Sequence, residues 1–314
     1  MSLAVAVLMG GPSAEAAVSR VSATGVAAAL TEAGHRATLV ELDARIHQRL
    51  IELAPDVVFP ALHGPPGEDG TVQGFLEILG LPYVGSGVHG SAVAMDKSLA
   101  KAVFRRAGLP VVDDVVIAPG CDPVDAERQV LERLGDRVVI KPLSQGSAIG
   151  VTLAANGGDL KIGLRKALDF GGGVLVEPYV LGKEITVGVL DLHGAVPKEL
   201  PVIEIATAQN EWYDYTNRYT QGRSDHIIPA RLPEAVNQRL QQIAVTAHIR
   251  LQLRDLSRAD FIVTDGDEIV LLEVNTLPGM TPTSLFPDAA KAIGYDFPAL
   301  VDVLVRSAFA RAQG

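Results

Sequence analysis

Short apolar runs, each followed by a loop and then a helical stretch, fill the first hundred residues. Leu3 to Met9 is a strand-like run, Glu15 to Ala33 reads as a helix, and Ala37 to Leu42 is the next strand. That alternation predicts a parallel α/β layer. Asp56 to Leu62 reads as a third strand, and it runs into His63-Gly64-Pro65-Pro66-Gly67-Glu68-Asp69-Gly70 before a helix from Thr71 to Leu79. A loop this rich in Gly, Pro and charge at a strand's carboxyl end is where open α/β sheets place ligands.

From Asp96 the character changes. Lys97 to Ala107 and Asp122 to Leu134 read as helices, Asp113 to Ala118 and Arg137 to Lys141 as strands. Further strands (Val174 to Glu177, Glu184 to Asp191, Pro201 to Ile205) follow in close succession, which predicts antiparallel pairing. A helix from Glu234 to Leu251, a hairpin from Arg258 to Asn275 and terminal helices complete the chain. The expected units are residues 1–95, a parallel α/β domain, then 96–185 and 186–314, two lobes of α+β character.

The hairpin can be read as geometry. Two apolar strands flank a turn carrying Asp265-Gly266, a strong hairpin signal. A turn symmetric about Gly266-Asp267 sets Asp260 opposite Glu273 and Arg258 opposite Asn275. The period of two puts all four on one face, with Ala259, Phe261, Val263, Val270, Leu272 and Val274 on the other. Two carboxylates directly opposite repel unless a cation lies between them, and two acids plus an amide oxygen are the hard donors that Mg²⁺ takes. A solvated edge carrying chance acids is the alternative, and a bulge would shift the register.

Composition narrows the class of function. The chain has 314 residues, 48% of them hydrophobic but only 5% aromatic, so its core is aliphatic. A formal charge of −10 speaks against wrapping nucleic acid. The single cysteine, Cys121, precludes an intrachain disulfide and fits a reducing, cytoplasmic setting. Neither a secretory leader nor a run near the ~18 apolar residues of a membrane span is visible.

Several loops carry candidate chemistry. Gly10-Gly11-Pro12-Ser13-Ala14-Glu15 joins the first strand to a helix, a place that favours an anion; Glu15 is either a first-turn acid complementing the dipole or a holder of an ammonium group. Lys141 leads into Leu143-Ser144-Gln145-Gly146-Ser147-Ala148-Ile149-Gly150, small enough for backbone to approach phosphate. Lys97 reads equally as a solvated helix lysine. The only Trp and three of the six Tyr cluster in Glu211 to Tyr219, as in a loop packed over a site. Gly279 and Ser284 lie just past the second hairpin strand, where a backbone N–H and a hydroxyl can meet an oxyanion and a carboxylate.

In this order and spacing, the loops resemble the D-alanine–D-alanine ligases of the ATP-grasp superfamily from Gly10 to Ser284. The residues that carry the resemblance are Gly10 to Glu15 with Val18-Ser19, His63 to Gly70, Asp96-Lys97, Lys141-Pro142 with Gly146-Ser147, Tyr213-Asp214-Tyr215, Arg258 with Asp260, and Glu273 to Ser284. The resemblance implies an ATP-grasp fold whose two lobes enclose ATP, and ligation of two D-alanines through an acyl phosphate for peptidoglycan synthesis. It also implies roles. Glu15, in a set with Ser147 and Tyr219, would hold the first ammonium, with His63 near the first substrate. Arg258 and the Gly279 N–H would stabilise the tetrahedral oxyanion, and Ser284 with Leu285 would bind the second carboxylate. Lys97, Lys141, Ser147 and Arg218 would meet phosphates; Glu177, Val180 and Glu184 would hold adenine and ribose. Asp260, Glu273 and Asn275 match ligands of two Mg²⁺ ions, with Mn²⁺ as an alternative. The implied partners are small molecules, ATP and D-alanine, with no nucleic acid and no membrane insertion, and a homodimer is left open.

Three departures from the family pattern stand out: Ala148 replaces a common serine, Arg218 a common lysine, and Ala16-Ala17 a commonly charged pair. Tyr219 agrees with a dipeptide rather than a D-alanyl-D-lactate product. Two other readings stay open, an ATP-grasp ligase joining other amino acids and a nucleotide-binding regulator without turnover.

Overall fold

In the computed structural model, residues 1–146, 148–207, 223–281 and 284–313 are described. Three sheets organise them. The first is parallel, with β1 (Ala4–Met9) between β2 (Arg36–Glu41) and β3 (Val57–Pro60). β1 is a continuous apolar run because both its faces are covered: Val5 and Val7 point into one core, Ala6 and Leu8 into another.

The second sheet is antiparallel, in the order β4 (Val115–Ile117), β7 (Val174–Pro178), β5 (Val138–Pro142), β6 (Thr152–Ala154). Two helices, Pro123–Arg133 and Gly157–Leu168, cover one face. Asn156 starts the second of these by accepting the Gly158 and Asp159 N–H groups. The same alternation turns Val139 and Lys141 to the uncovered face.

The third sheet runs β11 (Ser224–Ile227), β10 (Ile203–Thr207), β8 (Lys183–Asp191), β12 (Asp255–Val263), β13 (Ile269–Asn275), with β9 (Lys198–Glu199) paired to β8. Its strands are antiparallel, as their close succession suggests. One core joins it to the helix Glu234–Arg250 and also takes Ala100 and Phe104 from the helix Lys97–Arg106. A separate core welds the first sheet to the third through the helices Ala16–Glu32 and Phe297–Arg311. At that junction Asp255, fully buried, receives Arg311 through both oxygens (2.6 and 2.9 Å) together with the Gly85 N–H at 2.8 Å.

The hairpin register needs one correction. Asp260 does face Glu273, and Arg258 faces Asn275, but a bulge after Asp260 shifts the rest, pairing Phe261 with Leu271 and Ile262 with Val270. Leu271 therefore enters the core with Ala259, Phe261, Val263 and Val274, whereas Val270 and Leu272 line a cavity. The turn is offset from its expected centre, and the bulge takes up that offset before the acids are reached.

Candidate active site

Glu15 stands at the end of a glycine turn. Gly10 and Gly11 have φ of 74° and 89°, a conformation L side chains rarely adopt. The Gly10 N–H donates to Ser19 Oγ at 2.8 Å, and that hydroxyl donates to the Ala61 carbonyl at 2.6 Å. This donor is engaged inside the fold, so at Gly10 the turn offers no anion site and serves instead to place Glu15. The Glu15 side chain makes no capping bond to its helix; at 3% exposure it lines a pocket with His63, Glu68, Lys97, Arg258, Asn275, Gly279, Ser284 and Leu285. Of its two sequence readings, this geometry favours the pocket acid.

Two buried groups in the pocket have displaced pKa values. Burial, reinforced by the Arg258 charge, pushes His63 down to about 4, and its Nε2 pairs with Ser22 Oγ at 3.0 Å. The imidazole is neutral at physiological pH. Burial and then the Glu15 charge push Glu68 up to about 8, against the opposing effect of the Gly64 N–H it accepts at 2.6 Å. Sequence reading did not single out Glu68; its only signal was membership of the His63 to Gly70 loop.

The hairpin supplies the opposite wall. Arg258 holds Asp260 through Nε and Nη2, both at 2.8 Å, and Thr186 Oγ1 donates to Asp260 Oδ1 at 2.6 Å. Glu273 Oε2 lies 3.3 Å from Lys97 Nζ, and Asn275 Oδ1 accepts the Leu277 N–H at 2.9 Å. Two opposed carboxylates and an amide oxygen form a hard-oxygen donor set that suits Mg²⁺ shared with phosphate oxygens. Past β13, Ser284 Oγ accepts the Thr281 N–H at 2.9 Å, and a Cβ at Gly279 would come within 2.8 Å of that oxygen.

A second cavity, of about 690 Å³, lies between the two antiparallel sheets. Val139, Leu153, Ile262 and Leu272 give it apolar walls, and Lys141, Glu177, Val180, Glu184 and Asp260 its polar ones. Lys141 Nζ meets Glu177 Oε2 at 2.5 Å, and Lys101 takes the other oxygen. Burial would raise Glu177, but the Lys141 and Lys101 charges outweigh it and hold the carboxyl below its usual range. Lys101 was missed because a lysine on an amphipathic helix reads as solvated. Cavity and pocket share Lys97, Gln145 and Glu273, and Lys97 Nζ donates to the Gln145 carbonyl at 2.8 Å. Ser147, Arg218 and Tyr219, with the rest of the aromatic cluster, lie outside the described residues.

Comparison with known proteins agrees along the length of the chain. Residues 44–86 match the family model described as D-ala D-ala ligase N-terminus, and residues 103–306 the D-ala D-ala ligase C-terminus. A D-alanine–D-alanine ligase of Moorella thermoacetica is 45% identical over 305 residues, covering 96% of this chain and 97% of the relative. One from Desulforudis audaxviator is also 45% identical, with 97% and 98% covered. The solved D-alanine–D-alanine ligase from Bacillus anthracis complexed with ATP superposes with a TM-score of 0.84 at 31% identity, covering 99% of each chain.

Proposed function

The chain belongs to the D-alanine–D-alanine ligase family, and from that membership we propose its reaction and the part each residue plays in it. It is an ATP-dependent, ADP-forming ligase that joins two D-alanines for peptidoglycan synthesis. The observation that carries the reading is the shared wall: a cavity of nucleotide size opens onto an acid-and-arginine pocket across Lys97, Gln145 and Glu273. Phosphoryl transfer needs its donor and acceptor to meet at such a junction.

ATP occupies the cavity between the lobes, its adenine and ribose against Glu177, Val180 and Glu184, its phosphates toward Lys97 and Lys141. The first D-alanine lies in the pocket with its ammonium on Glu15 and its carboxylate toward the shared wall. The neutral His63 beside it offers a hydrogen bond without adding positive charge. The carboxylate oxygen bonds to the γ-phosphorus as the bond to ADP breaks. The amine of the second D-alanine, whose carboxylate is held by Ser284 and Leu285, then attacks the acyl carbon, and as the C–O bond to phosphate breaks the nitrogen gives up a proton to the departing phosphate. Arg258 and the Gly279 N–H stabilise the oxyanion that forms between these steps. Asp260, Glu273 and Asn275 would hold two Mg²⁺ ions, whose charge supplies electrostatic stabilisation at the phosphates. Ser147, Arg218 and Tyr219 belong to the same proposal by sequence position. The three lobes are residues 1–95, 96–185 and 186–314, and the reading places the enzyme in the cytoplasm, where its ATP is made.

The test is phosphate release from ATP in the presence of Mg²⁺ and D-alanine, with D-alanyl-D-alanine identified as product. ATP turnover with no dependence on D-alanine would overturn the specificity.

A further inference from the structure

The helix Lys97–Arg106 belongs by packing to the third sheet, since Ala100 and Phe104 lie in that sheet's core. Lys101, between them, is 1% exposed and heads the largest fully buried side chains. Its ammonium leaves this core and crosses to the second sheet. There it meets Glu177 Oε1 on β7 and lies 3.7 Å from Asp114 Oδ1, just ahead of β4. An ammonium group withdrawn from water this completely is tolerated only with carboxylate partners.

The partners are shared. Glu177 gives its other oxygen to Lys141 at 2.5 Å, and Asp114 also pairs with Arg105. Among the described contacts, Lys101, Lys141 and Arg105 against Glu177 and Asp114 leave one positive charge in excess. That excess lies beside the cavity assigned to the nucleotide. Lys141 and Glu177 line the cavity and Lys101 does not, so any effect of Lys101 on a ligand passes through Glu177.

We propose that Lys101 is a positioning residue for nucleotide binding: it fixes the Glu177 carboxylate in the cavity wall, through it the Lys141 ammonium, and ties the core of the third sheet to the second sheet at the same point. The proposal rests on the nucleotide reading of the cavity. Without Lys101, Glu177 keeps Lys141 as its one described cationic partner and draws it more strongly, away from the triphosphate.

The experiment compares Lys101→Met, Lys101→Arg and Asp114→Asn with the unaltered full chain. It measures binding of a non-hydrolysable ATP analogue by calorimetry, and KM for ATP and for each D-alanine by initial rates. Lys101→Met is expected to weaken analogue binding and raise KM for ATP about tenfold, the scale of one charge-assisted contact. Both D-alanine KM values should stay within about twofold, and Lys101→Arg should recover most of the loss because it keeps the charge. If Lys101→Met does not fold, Asp114→Asn, which removes the lesser partner, should show a smaller loss confined to ATP. A folded Lys101→Met with unchanged analogue affinity, equal loss for ATP and D-alanine, or Asp114→Asn without effect when it alone folds would overturn the proposal. An unaltered chain that binds no analogue would overturn the nucleotide reading itself, and this proposal with it.

Discussion

Asp260 and Glu273 stand directly opposite each other on β12 and β13, and each carboxylate already has a cation, Arg258 for the first and Lys97 for the second. The two positions therefore respond differently to loss of charge. Glu273→Gln should abolish ADP formation with little change in thermal midpoint, because its partner is a lysine 3.3 Å away at the edge of the pocket. Asp260→Ala should abolish turnover too, but it removes a carboxylate that holds a buried guanidinium through two bonds and should lower stability by about 1–3 kcal/mol. ADP release and thermal unfolding, measured on both variants, check this; near-normal rates in both would contradict the metal-site assignment.

His63 links stability to acid pH. Its folded pKa of about 4 lies below the ordinary 6.5, so on acidification the unfolded chain takes up a proton before the native one does. This contribution is complete above pH 6.5 and is lost as pH falls toward 4. NMR of the imidazole should show no titration between pH 5.5 and 8. A midpoint near 6.5 would mean the ring is not held neutral.

Glu68 acts in the opposite sense. With a folded pKa of about 8 against an ordinary 4.5, it binds a proton in the native state that the unfolded chain has released. Its contribution is full below pH 4.5 and declines as pH rises through 8. Glu68→Gln should therefore gain stability relative to the unaltered chain over that interval, with the difference levelling off above it. Urea unfolding at a series of pH values measures the gap, and a gap independent of pH would refute the assignment.

Gly279→Ala probes the acceptor subsite. The added Cβ would come within 2.8 Å of Ser284 Oγ, a hydroxyl already held by the Thr281 N–H, so the hydroxyl must move. The half-saturation for the second D-alanine should rise by roughly tenfold, while that for the first changes little. Initial rates over a wide D-alanine range resolve the two; an equal rise in both would place Gly279 elsewhere in the reaction.

Asp255→Ala tests the weld between the first and third sheets. Arg311 and the Gly85 N–H would lose a fully buried partner, at about 3 kcal/mol. Urea unfolding gives the magnitude, and a loss under about 1 kcal/mol would show the contact to be incidental.

Local pattern was enough to determine a good deal about this protein. The continuous run of β1, the glycine turn before Glu15 and the hairpin with acids on one face all follow from periods of two and 3.6 and from turn chemistry, which act over a few residues. Motif order along the chain pointed to the family for the same reason. Register and burial were decided elsewhere. The bulge after Asp260 sends Leu271 rather than Leu272 into the core beside the helix Glu234–Arg250, because one extra residue on a strand reverses which face each later side chain takes. Lys101 and Glu68 look like ordinary surface charges in the sequence. Only the approach of β7 to one and of the Glu15 loop to the other removes their water, and removing water is what turns a charged side chain into one that must be paired or neutralised.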